Sequence, residues 1–265
     1  MSEWATSENE GGQEAPEQPE PPRVRTEIKK ISLPADSDLE RLVHESAPEI
    51  LIAVAGDARL TEDLALALLK HADLPREALE ALSKNGSLMR QRKVRMAVVM
   101  HQRTPRHVSV PTIRHLYTFE LMQVALLPSV LPDVKRAAEE QLIMRLESLP
   151  VGQKITLARR ASGRVAAALL QTSDQRIISP ALDNKQLTEA LVIQALMKPR
   201  APERLYVTVA DHASWQLRRE IQIALLRSEN TPLERAQEFA KNFSEDFLRE
   251  IVPAQRIGEL HHLQD

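Results

Sequence analysis

"VRMAVVMHQRTP" (residues 94–105) returns without a gap as "IQIALLRSENTP" (221–232). Both stretches carry apolar residues at the first, third, fifth and sixth places, Ala at the fourth and Thr-Pro at the end. The pattern occurs twice more, as "LALALLKHADLP" (64–75) and as "VAAALLQTSDQR" (165–176), the last with Arg176 where the others have Pro. Pro75 and Pro105 are 30 residues apart, Arg176 and Pro202 are 26 apart, and Pro202 and Pro232 are again 30 apart. Internal periods of this size are the signature of stacked helix pairs. The interval from 105 to 176 is too long for one unit and predicts two degenerate ones, restarting at "SLPVGQKITLARRA" (148–161).

Proline is favoured at the start of a helix, where its missing N–H has no partner to lose. "PREALEAL" (75–82), "PERLYVTVA" (202–210) and "PLERAQEFA" (232–240) therefore read as first helices, with Thr104 and Thr231 as N-caps of those that follow them. The repeated pattern is the second helix of each unit. On a helical wheel for the helix near 88–103, Met89, Val94, Met96, Ala97, Val98 and Met100 spread over a broad arc, and Gln91, Arg92, Arg95, Gln102 and Arg103 fill the remainder. Val99 falls inside the polar arc, yet its counterparts Leu69, Leu170 and Leu226 are also apolar. Such a helix needs neighbours on nearly every side, which stacking supplies.

With its Pro-opened first helix and its "V-R-x-A-V"-like second helix, "KVRMAVVMHQRTP" (93–105) resembles HEAT-like repeats, and more narrowly the leucine-rich repeat variant type, over roughly residues 60–245. The resemblance implies an all-α, right-handed α-solenoid of about six helix pairs, closed by a helix at "SEDFLREIV" (244–252). It implies little about function, because such solenoids serve many tasks. The variant type also carries a Cys-bound iron–sulfur module, and a chain with zero cysteines cannot hold it.

Composition narrows the classes further. The absence of cysteine excludes disulfides, thiolate nucleophiles and Cys-ligated metals. No charged-then-apolar leader and no run of about 18 apolar residues is present, so a cytoplasmic protein without a membrane span is expected. "LYTFELMQVALLPSVLP" (116–132) is interrupted by Glu120, Pro128 and Pro132 and reads as core closed by a turn. Residues 1–37 differ from the rest. "SEWATSENEGGQEAPEQPEPP" (2–22) holds six Glu, four Pro and no basic residue, and predicts a disordered acidic tail, followed by the basic "RVRTEIKK" (23–30). The boundaries expected are a tail over 1–37, a HEAT-like helical repeat domain over 38–252 and a polar C-terminal tail over 253–265.

Between Glu80 and Glu120 no acidic residue occurs, while Lys84, Arg90, Arg92, Lys93, Arg95, Arg103, Arg106 and Arg114 supply eight positive charges beside His101, His107 and His115. If exposed, Arg90, Arg92, Lys93, Arg95, Arg103, Arg106 and Arg114 form a basic face for an acidic protein segment, with nucleic acid phosphates as the alternative ligand. If neighbouring units supply carboxylates, the same residues are a paired, solvated face. Arg92 recurs as Arg219, which favours a row of charge along one side. The acidic segment 3–20 could also mask Arg90–Arg114 from within the chain.

For catalysis the sequence offers no G-x-S-x-G, P-loop, H-E-x-x-H or Gly-rich dinucleotide pattern, and only seven Gly. No cofactor and no metal are expected. The histidines lack the i, i+4 spacing of helical ligands and read as turn or surface residues. Some HEAT-like proteins are DNA glycosylases, and "DHASWQLRRE" (211–220) holds Asp211 and Trp215, a carboxylate and an aromatic that such a site requires in one groove. The structural reading of that segment has Asp211 ending a first helix, Ser214 capping the second and Trp215 packing between units. A net charge of −2 and 3% aromatic residues argue against a DNA-wrapping enzyme. The expectation is a non-enzymatic scaffold or adaptor that binds another macromolecule, a protein first, along the row of second helices.

Overall fold

Pro-started and apolar-patterned segments become helices throughout the computed structural model, which describes residues 33–34 and 38–261. In chain order the helices are α1 (Leu39–Leu42), α2 (Pro48–Ala55), α3 (Glu62–Leu68), α4 (Arg76–Lys84), α5 (Gly86–Arg90), α6 (Arg92–Met100), α7 (Arg106–Ile113), α8 (Thr118–Leu126) and α9 (Pro132–Arg145). They continue as α10 (Val151–Arg160), α11 (Gly163–Leu169), α12 (Gln175–Leu182), α13 (Glu189–Leu196), α14 (Glu203–Asp211), α15 (Arg219–Leu226), α16 (Leu233–Ala240), α17 (Glu245–Ile251) and α18 (Ala254–His261). No strand occurs among the described residues, and no helix there is long and apolar enough to cross a membrane. The acidic segment 2–22 and the basic segment 23–30 lie outside the described residues.

The four copies of the opening pattern fall on α3, α6, α11 and α15. Alternate helices pack on each other: α10 on α12 and α12 on α14, α11 on α13 and α13 on α15, with α3 on α6 and α6 on α8 nearer the N-terminus. Such an all-helical arrangement is compatible with a helical repeat protein. Val99 and its counterparts Leu69, Leu170 and Leu226 are all buried, with other helices packed on α3, α6, α11 and α15. Residues 105–176 hold α7, α8 and the long α9, which packs on both, followed by α10 and α11, which restart just after Pro150. A further second-row helix, α13, fits the pattern from Leu191 except that Gln194 replaces its Ala.

The local chemistry at the turns differs from expectation. Pro75, Pro105, Pro202 and Pro232 take extended backbone angles and sit at the N-cap, one place before the helix. Thr104 and Thr231 are therefore not caps. Their buried hydroxyls turn back, each donating at 2.6 Å to a carbonyl of the helix just ended, Val98 and Leu225. Ser214 caps nothing either, since α15 starts only at Arg219. Met89 belongs to the separate α5, and α6 begins after the extended Gln91.

A second set of bonds ties turns to residues about 30 places further along the chain. Carbonyls at helix ends and in the turns just beyond them accept these side-chain donors. His71 Nε2 donates to the Val43 carbonyl at 2.7 Å, His101 Nε2 to His71 at 2.9 Å, and Arg145 Nη1 to Leu116 at 2.7 Å. Trp215 Nε1 donates to Leu182 at 2.9 Å, and Arg256 reaches the carbonyls of Ser228 and Thr231. Residues 254–261, read from sequence as part of a polar tail, thus form α18, which packs on α16 and carries the buried Arg256. The helix expected at 244–252 is α17, but it does not close the fold, since α18 follows it and packs on α16.

Two apolar clusters result. One runs from Leu39 to Val108 and the other from Val99 to Val252. They meet on α6, which gives Val94 and Val98 to the first and Val99 to the second.

Candidate functional site

Helix α6 is also where the basic run is densest, and its outer side floors an open groove of about 990 Å³ shared with α3 and α8. Leu69, Met96, Ala97 and Met100 give the groove its apolar floor. Arg92 and Lys93 stand at the N-terminal end of α6, Glu62 on the α3 side, and Glu120 and Gln123 on α8. The floor follows from the repeat: the small fourth residue, Ala97, and the flexible Met at the third and seventh places leave a depression that a bulkier set would fill.

Glu120 organises one wall. It is almost fully buried, accepts the backbone N–H of Tyr117 at 2.7 Å through Oε2, and accepts Nε of Arg92 through Oε1. The carboxylate's hydrogen bond holds the Arg92 pKa above its ordinary value. The Arg92 guanidinium also lies 5.2 Å from the centre of the exposed Tyr117 ring. One face of Arg92 is therefore committed to α8, and the charge it presents at the groove is balanced.

The other basic residues divide in two. Arg103 donates to the Asp73 carbonyl at 2.7 Å and lies 3.5 Å from its carboxylate; Arg106 lies 3.5 Å from Asp133. His107 is 3.3 Å from Glu80. Each partner comes from a neighbouring unit, so this part of the run is a paired, solvated face. Lys84, Arg90, Lys93, Arg95 and Arg114 have no carboxylate within 4 Å among the described residues. Of these, Lys84, Arg90, Lys93 and Arg114 are exposed, whereas Arg95 is half-buried with its Nε enclosed and unbonded. The seven arginine and lysine residues singled out by sequence are spread over α5, α6, α7 and the turns after α6 and α7, and only Arg92 and Lys93 line the groove.

The same positions on α15 line a second, smaller groove of about 350 Å³. Arg219, Glu220, Ile223, Ala224 and Arg227 stand there where Arg92, Lys93, Met96, Ala97 and Met100 stand on α6. Arg219 is covered by Phe243 and Phe247, at 4.9 and 5.8 Å from the ring centres. Replacing Met100 by Arg227 also removes the apolar far end, so the α15 groove lacks a continuous apolar floor.

Asp211 and Trp215 do not line the α6 groove. The Asp211 carboxylate accepts Arg235 Nε at 2.8 Å, while Trp215 is buried against α12 through its bond to Leu182 and has the Arg218 guanidinium 4.5 Å from its ring. His101 and His71 are held in the turns that join units. Among the described residues no group of three His, Cys, Asp or Glu is placed to hold a metal ion. Sequence reasoning missed the groove-floor residues Met96 and Met100 as a site, because it counted them as core; their half-buried state shows only once α3 and α8 are in place.

Compared with known protein families, with curated proteins and with solved structures, the chain gives no match.

Proposed function

We propose that the chain is a non-enzymatic adaptor, a HEAT-like α-solenoid of right-handed helix pairs that binds a segment of another protein in the groove over α3, α6 and α8. The carrying observation is the apolar floor of Leu69, Met96, Ala97 and Met100, open to solvent and rimmed by charged residues of both signs. A groove of this make suits an extended or amphipathic segment whose apolar side chains enter the floor. Methionine floors accept several side-chain shapes, since the thioether chain repacks at little cost. The balanced charge of Arg92 and the pairing of Arg103 and Arg106 favour a protein ligand over a phosphate backbone, which would draw on a continuous unpaired row.

Capture from a cytoplasmic lysate by the full chain tests this, comparing wild type with Met96→Arg and with Met144→Arg as an exposed control on α9. The expected result is a protein retained by wild type and Met144→Arg, lost by Met96→Arg, and unaffected by nuclease. Nuclease-sensitive material lost on Arg90→Glu, Lys93→Glu substitution instead would replace the reading with nucleic-acid binding.

A further inference from the structure

The α3 end of the groove lies next to the point where the described chain begins. Arg59 Nη2 donates to the Pro34 carbonyl at 3.3 Å and to the Asp57 carboxylate at 2.8 Å, which pins Pro34 at the turn before α3. Glu62, three residues beyond Arg59, lines the groove. Three Cα steps span at most about 11 Å. Pro34 is thereby held at the turn that leads into α3, whose first residue, Glu62, lines the groove.

That chain has a composition that matches the groove. Residues 3–20 carry six Glu and no Lys or Arg, and Trp4 is the one aromatic residue before Tyr117. On the α6 side of the groove Lys93, with Arg90 one helix back, has no carboxylate partner among the described residues, while Arg92 is balanced by Glu120. Glu62 makes the α3 rim the acidic side. Acidic residues are thus drawn to the N-terminal end of α6, and a large apolar side chain to Met96 and Met100.

We propose that residues 3–20 of this chain are the intramolecular occupant of the α6 groove, with Trp4 on the Met96–Met100 floor and the glutamates toward Arg90 and Lys93. The proposal rests on reading the groove as the protein-binding site and makes the segment a competitor that an incoming partner must displace. Reach is sufficient. The 30 residues from Trp4 to Pro34 span about 30 Å as a flexible chain, and the nine residues of α6 are about 14 Å long. Tethering at this length gives an effective concentration of about 1 mM, so even a weak contact is populated. Its ionic part weakens with salt. The same logic specifies the partner: an acidic segment with an aromatic or large aliphatic anchor that outcompetes Trp4.

The absence of cysteine allows a direct test in the full chain. A nitroxide on Ser7→Cys is read through the methyl signals of ¹³C-methyl methionine. The expected result is about a twofold or greater loss of intensity at Met96 and Met100 against the reduced label, as high tether concentration requires. Met144 and Met197, exposed on α9 and after α13, keep their intensity. Replacing the six glutamates with glutamine restores Met96 and Met100. Equal attenuation of all four methionines, or of none, would overturn the proposal. Two outcomes separate it from the adaptor reading. If Met96→Arg abolishes partner capture but the label leaves Met96 untouched, the groove is the partner site and the tail is not its occupant. If the label attenuates Met96 and Met96→Arg leaves capture intact, the tail docks there and the partner binds elsewhere.

Discussion

Substituting Gly163 by alanine tests how closely consecutive units approach. Gly163 opens α11, is buried, and a Cβ placed on it would lie 2.2 Å from the Gln186 carbonyl oxygen, 3.0 Å from its carbon and 3.0 Å from Leu191 Cδ1. Two of these neighbours are backbone, so no side-chain rotation relieves the clash. The turn before α13 has to move by more than 1 Å or α11 has to tilt, as van der Waals contact of carbon and oxygen needs roughly 3.4 Å. Overpacking of this kind costs about 1–3 kcal/mol, and a backbone obstacle places it near the top, about 3 kcal/mol. At about 2–4 °C per kcal/mol for a folded body of this size, the expected loss in Tm is roughly 6–12 °C. Thermal unfolding followed by circular dichroism at 222 nm measures it, with Gly152→Ala as the matched control. Nothing lies within 4 Å of a Cβ on Gly152, which sits in the first turn of α10, so that change is neutral or stabilises by up to about 1 kcal/mol. A Gly163→Ala protein whose Tm stays within about 2 °C of wild type would show that α11 and the α12–α13 turn are not in backbone contact, and the stacking would have to be revised there.

Other outcomes follow from the turns. Thr104→Val and Thr231→Val each delete a buried hydroxyl that donates to a carbonyl of the preceding helix. Each should lower stability by about 1 kcal/mol in urea unfolding. The two sites share no partner, so the double variant should lose the sum to within about 0.5 kcal/mol. At the N-terminal end, the Asp57 carboxyl is held below its ordinary value of 3.8 by the side-chain bond from Arg59 first and the backbone bond from Arg59 second. A folded pKa below the unfolded one gives stability that is complete above the unfolded value and is lost as pH falls through the folded one. Amide exchange in α2 and α3 should therefore accelerate as pH falls below about 4 relative to the intrinsic rate, and Asp57→Asn should flatten that part of the profile.

The second helices were legible because their six-place apolar pattern and the following Pro are local properties. Helix α13 escaped the same search through one residue, Gln194 in the place of Ala. Thr104 and Thr231 were misread since Thr before a helix resembles a cap; the extended angles of Pro105 and Pro232 take the cap position and turn the hydroxyls backward. The pairing of the basic run could not be read at all. Glu120 is 28 residues from Arg92, Asp73 is 30 from Arg103 and Asp133 is 27 from Arg106, so the partners are fixed by how distant helices pack. The groove is a property of three helices together: Met96 and Met100 carry the same apolar signal as core residues, and only the spacing of α3, α6 and α8 leaves them half-exposed. Even the repeated Arg92 and Arg219 end in different settings, one on a carboxylate and a tyrosine, the other under two phenylalanines.

Hydrogen–deuterium exchange of the full chain, with and without the captured partner, addresses the binding groove most directly. Protection confined to residues 62–72, 91–102 and 118–129, with Met96→Arg abolishing it, is the predicted result. Protection of α12 and α14 with unchanged exchange in α6 would contradict the account and move the working surface to the opposite row of helices.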